Sequence, residues 1–417
     1  MKKEITYECS LCHKIYSEDE VQYTCPLDGG NLMVILDYAA IRSNFTPEDV
    51  LAGTETSLWR YLPLLPVNDP GGNGTPLRAA GWTPLFSPPA LKAKLGLEWL
   101  WLKDESRNPT ASFKDRASAI VVARAREIGA EVIVTASTGN AGAALAGMAA
   151  AVGQKAVIFA PRTAPPAKVA QLLVYGAKVI LVDGSYDEAF DLSVKAAQEF
   201  GWYSRNTGYN PFTAEGKKTG AFEIWEAQQK GIINYPLTNS KLSIFVSVGD
   251  GNIITGLHKG FKDLVALGWM KEVPAMYGVQ SEGSAAVANA FLSGTEKVEP
   301  VAARTIADSI SVDLPRDGIQ AVRAAAETGG SYLLVSDTEI IKAIAELGLA
   351  GIFAEPAGAA AYAGLKKAVA EGLIIPEDPV VVFNTGSGLK DINAAMQAVM
   401  EAPIIEPTLD AVKRVIK

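Results

Sequence analysis

The feature that most limits the possible fold is a regular alternation of strand and helix patterns from Trp82 onward. Short apolar runs predict the strands, and apolar residues at helical spacing predict the helices. Strands are predicted at 98–103, 131–136, 155–160, 178–182, 242–248, 275–280 and 380–384, and helices at 112–129, 141–152, 164–175, 185–200, 253–267, 338–346 and 357–371. This alternation indicates an α/β fold with parallel sheets, in which ligands bind beyond the carboxyl ends of the strands.

The composition argues against several classes of function. The chain has 417 residues, of which 48% are hydrophobic and 20% charged, as in a globular enzyme with a large core. A net charge of −8 without a long basic block argues against binding to nucleic acids or anionic membranes. No apolar run reaches the roughly 18 residues of a membrane span. The first residues also lack a signal-peptide pattern, so we expect a cytoplasmic protein.

Histidine is scarce, since the chain has only His13 and His258. A Ser-His-Asp triad or a histidine-rich metal site is therefore hard to build. We expect proton transfers to use lysine, carboxylates, hydroxyls or a cofactor.

The first 36 residues form a distinct, ribbon-like unit that contains every cysteine of the chain. Cys9 and Cys12 form a C-x-x-C pair, and Cys25 opens a second pair whose last position holds Asp28. Asp28 or His13 could complete a tetrahedral zinc site, because carboxylate and imidazole both bind zinc. The alternative is a degenerate ribbon that has lost its metal and folds on hairpin turns.

The stretch from Asn108 to Arg116 places one lysine at the predicted start of a helix. Ser112 and Asp115 resemble a capping box, which would put Lys114 in the first helical turn. The positive end of the helix dipole disfavours the ammonium form there, and a lysine with a lowered pKa can form a Schiff base. The alternative is a surface lysine beside a capping aspartate.

Three predicted strand-to-helix loops carry small polar residues, at 137–142, 249–252 and 384–391. Hydroxyls and amides of the first loop suit a carboxylate, and glycines of the second let backbone amides approach a phosphate. In the third loop, Thr385 and Ser387 offer hydroxyls at a strand end. Each loop taken alone could also be a plain turn.

Taken together, these stretches resemble the pyridoxal-phosphate enzymes of the tryptophan-synthase-β type (fold type II), and among them the threonine synthases. The segments 207–212 and 215–219 and the cysteine-bearing ribbon add support, and the resemblance covers roughly residues 55–395. It implies a homodimeric lyase of threonine biosynthesis. The family reaction converts O-phospho-L-homoserine and water to L-threonine and phosphate.

The resemblance also implies a role for each matching residue. Lys114 would carry pyridoxal phosphate as a Schiff base and move protons at the substrate carbons. Phe113 would flank the cofactor ring, Asn140 would bond the ring hydroxyl, Gly249, Asp250, Gly251 and Asn252 would cradle the phosphate, Thr385 would face the pyridine nitrogen, and Ser137, Thr138 and Gly139 would hold the substrate carboxylate. A neutral hydroxyl at the pyridine nitrogen suits elimination and replacement chemistry better than transamination.

One departure from the family concerns the substrate phosphate. Thr213 and Ala214 stand where related enzymes often place an arginine, although a dianionic leaving group needs cationic donors. The sequence does not choose among the possible substitutes, which are Arg205, Lys217, Lys103, Arg107 and Arg116. A related elimination enzyme, such as a serine, threonine or diaminopropionate ammonia-lyase, therefore stays open, as do a non-catalytic zinc-ribbon regulatory protein and a nucleotide-binding oxidoreductase.

The implied architecture has two parallel-sheet α/β domains with the cofactor in the cleft between them. We expect a ribbon-like unit at 1–36, a connector at 37–80, a large domain at 81–129 and 211–417, and a small domain at 130–210. Closure of the two domains would exclude water from the reacting groups.

Overall fold

The computed structural model describes residues 5–164, 166–236 and 241–416. The start of the predicted ribbon-like unit, residue 165 of a predicted helix, and residues 237–240 and 417 of the predicted large domain lie outside the described residues. The strands are β1 (Thr6–Cys9), β2 (Ile15–Ser17), β3 (Leu32–Ile35), β4 (Leu85–Phe86), β5 (Leu100–Asp104), β6 (Val132–Ala136), β7 (Lys155–Pro161), β8 (Lys178–Val182), β9 (Tyr203–Ser204), β10 (Ser243–Ser247), β11 (Ala275–Ser281), β12 (Ser331–Val335) and β13 (Val380–Asn384).

The helices connect and cover these strands. They are α1 (Tyr38–Asn44), α2 (Pro47–Ala52), α3 (Pro89–Leu95), α4 (Lys114–Glu127), α5 (Asn140–Ala150), α6 (Pro166–Val174), α7 (Tyr186–Phe200), α8 (Phe212–Lys217), α9 (Thr219–Gln229), α10 (Asn252–Ala266), α11 (Ala286–Leu292), α12 (Gly318–Ala326), α13 (Asp337–Leu349), α14 (Pro356–Ala370), α15 (Ile392–Gln397) and α16 (Leu409–Val415). Short 3-10 helices occupy Leu58–Leu64, Pro76–Ala79, Glu105–Arg107, Asp308–Ile310 and Gly388–Lys390.

The strands form three sheets. The ribbon-like unit is a small antiparallel sheet in the order β2-β1-β3. A four-stranded parallel sheet has the order β8-β7-β6-β9. A six-stranded sheet has the order β12-β11-β10-β13-β5-β4 and is parallel except for β4 at its edge. The predicted α/β class with parallel sheets is therefore confirmed.

The helices around the two larger sheets are unusually rich in alanine on their buried faces. Along α14 nearly every residue from Pro356 to Leu365 is buried, and α4 is buried from Asp115 to Ala123. Small side chains let a helix approach its neighbours closely, and tight packing strengthens dispersion contacts. Within the described residues, every helix is too short or too polar to cross a bilayer.

The capping box predicted at Ser112 and Asp115 is wrong. Helix α4 begins at Lys114, its N-cap is Phe113, and no side chain caps it. The Asp115 carboxylate instead accepts hydrogen bonds from the backbone N–H of Thr110 at 2.6 Å and from the hydroxyl of that residue, while the Ser112 hydroxyl has no partner among the residues described. Asp115 thus holds the preceding turn against the helix.

Candidate active site

A central cleft of about 400 Å³ lies where β6 and β10 end and where α4 begins. Its lining includes nine residues that were predicted to bind the cofactor or the substrate carboxylate: Lys114, Ser137, Thr138, Gly139, Asn140, Gly249, Asp250, Gly251 and Asn252. Loops from both parallel sheets contribute, so the cleft separates the two sheets at the carboxyl ends of their strands, where ligands of α/β proteins bind.

Lys114 lies at the floor of the cleft as the first residue of α4. Burial lowers its pKa, an effect that the carboxylate of Glu355 opposes and the guanidinium of Arg205 reinforces. The direction agrees with the sequence-based prediction, but the largest cause is desolvation, not the helix terminus. A larger neutral fraction of the amine makes it a better nucleophile and proton acceptor.

The glycine loop at 249–252 shapes a cradle at the N-terminus of α10. Gly251 is the N-cap and has φ +92°, a backbone conformation that favours glycine. A Cβ atom on Gly249 would lie 2.9 Å from Ile310 Cα, so this position also requires glycine. Free amides at the positive end of a 15-residue helix suit a phosphate.

Asp250 complicates this cradle, because its carboxylate belongs to the same loop. The Asp250 carboxylate accepts the backbone N–H of Arg316 at 3.4 Å, and its own carbonyl accepts the N–H of Asp317 at 2.8 Å. Burial raises the pKa of Asp250, whereas this backbone N–H and the amine of Lys217 favour its charged form. The side chain therefore ties the loop to the segment around residue 316.

Two buried cations, Lys217 and Arg205, line the cleft without forming an ion pair among the described residues. Lys217 Nζ donates to Asn252 Oδ1 at 2.6 Å, and burial holds its pKa well below the usual lysine range. Arg205 donates to Ser118 Oγ at 3.2 Å and to Thr207 Oγ1 at 2.7 Å, while its Nη2 has no hydrogen-bond partner in the described chain. Burial lowers the pKa of Arg205 to about 10.

The other three candidate cations are committed elsewhere. Lys103 pairs with Glu223 at 2.6 Å, and Arg116 pairs with both Glu223 and Glu105. Arg107 pairs with Asp104 at 3.3 Å and is largely exposed. Of the five candidates that the sequence left open, the structure brings only Lys217 and Arg205 to the cleft.

Asn140 begins α5 and lines the cleft, and its Nδ2 donates to Glu355 Oε1 at 2.7 Å. The sequence analysis missed Glu355, a buried carboxylate whose pKa is raised by burial and lowered by nearby Lys114. Pro356 at the first position of α14 signals a helix start just after this glutamate. Nothing in the sequence signals that its charge is buried.

Thr385 and Phe113 are buried beside the cleft, next to residues that line it. The Thr385 hydroxyl is 3.4 Å from Ser247 Oγ, which itself lines the cleft, and the Thr385 carbonyl accepts the backbone N–H of Phe113 at 2.9 Å. The Phe113 ring packs against Phe383 with centroids 5.8 Å apart. These contacts fix the chain on both sides of Lys114.

A second polar cluster lies in the ribbon-like unit. One ligand atom each from Cys9, Cys12, Cys25 and Asp28 lies within 4.8 Å of the others. His13, the other predicted candidate, instead bonds Glu8 at 2.8 Å. Three thiols and one carboxylate match the ligand number of a structural zinc site.

The ribbon-like unit also contacts the glycine loop through a chain of hydrogen bonds. Asn31 Nδ2 donates to Asp317 Oδ1 at 3.0 Å and to the carbonyl of Arg316 at 2.8 Å. The other oxygen of Asp317 accepts Asn252 Nδ2 at 2.7 Å. Asn252 also accepts a hydrogen bond from Lys217, so the side chains of Asp317 and Asn252 connect Asn31 to Lys217.

The donor set of the cleft fits a phosphorylated aldehyde. Lys114 supplies an amine with a lowered pKa, and the glycine cradle with Lys217 supplies amides and a cation for a phosphate. The buried Arg205 Nη2 is an unsatisfied donor. Such a donor costs about 1–3 kcal/mol unless a ligand pairs with it.

Comparison with known proteins agrees with this geometry. Residues 77–386 match the family described as pyridoxal-phosphate dependent enzyme. The chain is 38% identical over 412 residues to a threonine synthase of Methanocaldococcus jannaschii and 36% identical over 413 residues to one of Methanosarcina acetivorans, covering 98% of both chains in each case. The structure of threonine deaminase isoform 2 from Solanum lycopersicum matches with a TM-score of 0.64 and 24% identity, covering 79% of this chain and 84% of that one, which is a likeness of fold.

Proposed function

The chain belongs to the threonine synthases, within the pyridoxal-phosphate-dependent enzymes, and on that premise we propose that it converts O-phospho-L-homoserine and water to L-threonine and phosphate. The observation that carries this proposal is the cleft, where Lys114 shares one cavity with a glycine cradle and with two cations that have no ion-pair partner in the described part of the chain. An amine and two separate anion sites are what a phosphorylated cofactor and a phosphorylated amino acid require.

Pyridoxal phosphate fits the cleft through four groups of residues. Lys114 would bind it covalently, Gly249 to Asn252 would hold its phosphate, Asn140 would bond its ring hydroxyl, and Thr385 would offer a neutral hydroxyl to its ring nitrogen. When bound, the cofactor withdraws electrons from the substrate α-carbon. Phe113 would stiffen the segment that carries Lys114.

The protein groups around the substrate have separate tasks. Ser137, Thr138 and Gly139 would bind the substrate carboxylate at the N-terminus of α5, where amides and the helix dipole favour an anion. Lys114 Nζ, in its neutral form, would take the proton from the α-carbon and then from the β-carbon. Phosphate would leave from the γ-carbon with the electrons of the C–O bond, and the two protons would return to the γ-carbon and the α-carbon. Water would add its hydroxyl at the β-carbon and give its other proton to the released phosphate.

The decisive experiment scores phosphate and threonine together. The purified protein with pyridoxal phosphate and O-phospho-L-homoserine should release both in equal amounts, and Lys114→Ala should lower the rate at least a thousandfold, since it removes the cofactor's attachment and a proton acceptor, which alone is worth about 10²–10⁴. The matched variant Lys92→Ala, at a half-buried lysine of α3 outside the lining of the cleft, should retain full activity.

The second candidate is a related ammonia-lyase acting on serine, threonine or diaminopropionate. Uncharged, buried Thr213 favours it, because this position offers no cation to a substrate phosphate. Ammonia and a keto acid formed from a hydroxy or diamino acid, with no phosphate released from phosphohomoserine, would favour this candidate and contradict the leading proposal.

We also propose that Cys9, Cys12, Cys25 and Asp28 bind one structural zinc ion. Their convergence within 4.8 Å supports the proposal. Elemental analysis should find about one zinc per chain, reduced in Cys12→Ser and unchanged in His13→Ala. Equal zinc content in both variants and the wild type would contradict it.

The remaining proposals concern assembly and domain division. We propose a cytoplasmic homodimer, which light scattering tests by its mass. We propose that the small domain spans 130–210 and the large domain 81–129 with 211–417, after the ribbon-like unit 1–36 and the connector 37–80. The course of the four-stranded sheet from β6 to β9 supports this division.

A further inference from the structure

Arg205 is a buried cation of the cleft whose charge is not balanced by a carboxylate partner among the described residues. Neutral hydroxyls of Ser118 and Thr207 accept hydrogen bonds from two of its nitrogens, and Nη2 has no acceptor within the residues that the structure describes. A buried charge with no counterion is costly, so its retention indicates an anion that arrives with a ligand.

The other cations around the cleft already have partners or tasks. Lys217 bonds Asn252 in the glycine loop, so it belongs to the first phosphate site, that of the cofactor. Arg316 pairs with Asp187 at 2.8 Å and lies over the Phe190 ring. Lys114 is the reacting amine. Arg205 therefore remains for a second anion.

Thr213, on the neighbouring helix α8, does not supply this charge. It is fully buried, and its hydroxyl donates to the carbonyl of Asn210 at 2.8 Å. Between β9 and α8, in residues 205–211, Arg205 is thus the cation that lines the cleft.

We propose that Arg205 binds the phosphate of the substrate and sets the specificity for a phosphorylated amino acid. The proposal rests on the proposed function, because only that function requires a second phosphate monoester in the cleft. The planar guanidinium, held by Ser118 and Thr207, would present Nη2 to a phosphate oxygen as a charge-assisted hydrogen bond.

The test measures binding to the cofactor-loaded protein, followed by the visible absorbance of the cofactor. One probe is the phosphonate analogue of phosphohomoserine, with a methylene in place of the ester oxygen. The other is L-norvaline, which has the same carbon chain without the phosphonate. Arg205→Gln should weaken phosphonate binding at least about tenfold and leave norvaline binding within about threefold.

Two further variants keep the test interpretable. Arg205→Lys retains the charge without the planar donor set, so we expect an intermediate loss for the phosphonate. Arg126→Gln removes an exposed arginine that bonds the carbonyl of Val152 and should bind both probes like the wild type. Circular dichroism shows whether each variant is folded, and Arg205→Lys serves if Arg205→Gln does not fold.

Three results would overturn the proposal. Equal loss of both probes would mean that Arg205 has only a structural role. A tenfold loss of cofactor affinity with unchanged preference for the phosphonate would assign Arg205 to the cofactor phosphate. If both the preference for the phosphonate and the cofactor affinity stay unchanged, Arg205 binds neither phosphate.

The proposed function can fail separately. If the wild-type protein makes no threonine but prefers the phosphonate, and this preference depends on Arg205, the proposed reaction is wrong while the phosphate site is supported. If the wild-type protein makes threonine but Arg205→Gln still prefers the phosphonate, the proposed reaction is supported and the proposed role of Arg205 is wrong.

Discussion

Lys217 and Lys218 are neighbours in the chain, yet they lie in two opposite electrostatic environments. Lys218 pairs with Asp263 at 2.9 Å and with Glu215, and Lys259 joins the same group. Lys217 faces the cleft, and its only hydrogen-bond partner among the described residues is Asn252. Both side chains are buried, so the difference lies in the counterion and not in accessibility.

The same contrast occurs along α4. Arg116 forms ion pairs with Glu105 and Glu223. Burial alone would raise the pKa of Glu223, but the charges of Arg116 and Lys103 outweigh this effect and lower that pKa to about 2. Lys114, two residues earlier, has no ion pair among the described residues. A buried cation with its own carboxylate holds the fold together, whereas one without a carboxylate is available to a ligand.

The largest expected effect is the loss of the paired lysine. Lys218→Met should destabilise the cofactor-free protein by about 3 kcal/mol, because two buried carboxylates, Glu215 and Asp263, would then share one cation among the described residues, Lys259. Urea unfolding measures this change. A loss below about 1 kcal/mol would mean that Lys259 alone satisfies both carboxylates.

The matched substitution on the cleft side should have the opposite sign. Lys217→Met should stabilise the cofactor-free protein by about 1 kcal/mol, because relief of an unpaired buried charge exceeds the lost hydrogen bond to Asn252. The same variant should bind pyridoxal phosphate about tenfold more weakly, which is a trade of function for stability. A loss of stability as large as that of Lys218→Met would end the distinction between the two lysines.

A smaller effect should connect the ribbon-like unit to the cleft. Asn31→Ala removes a partner of Asp317, which positions Asn252, so cofactor affinity should fall about fivefold, or about 1 kcal/mol. Asn44→Ala, at the exposed end of α1, is the control and should bind the cofactor normally. Unchanged affinity in Asn31→Ala would separate the ribbon-like unit from the cofactor site.

The smallest effect is the pH dependence of the Lys217 substitution. Burial lowers the pKa of Lys217 in the folded protein, so its protonation destabilises the fold. This destabilisation is complete below the folded-state pKa and disappears as pH rises toward the unfolded-state pKa of about 10.4. The stability gained in Lys217→Met should therefore be smaller at pH 10 than at pH 7. A gain that does not change with pH would assign it to packing.

Several elements of the fold were predictable because their signals are local. Strand β13 matches its predicted bounds, and the apolar runs before both glycine-bearing loops marked β6 and β10. Strand β12 and helices α8, α9, α11 and α12 were missed. Helices α8 and α9 are buried along nearly their whole length, so hydrophobic periodicity is weak there, whereas α12 is amphipathic but its buried face consists mostly of alanine, a weak apolar signal.

By itself the sequence determined the α/β class, the position of Lys114 at a helix start and the glycine loops that follow parallel strands, because each depends on spacing over a few residues. Only the tertiary structure decided which cations face the cleft. Lys217 and Lys218 have the same side chain and adjacent positions, and their environments differ because Asn252, Glu215 and Asp263 approach from different directions. Pairing of buried charges depends on contacts between distant segments, and no local pattern records them.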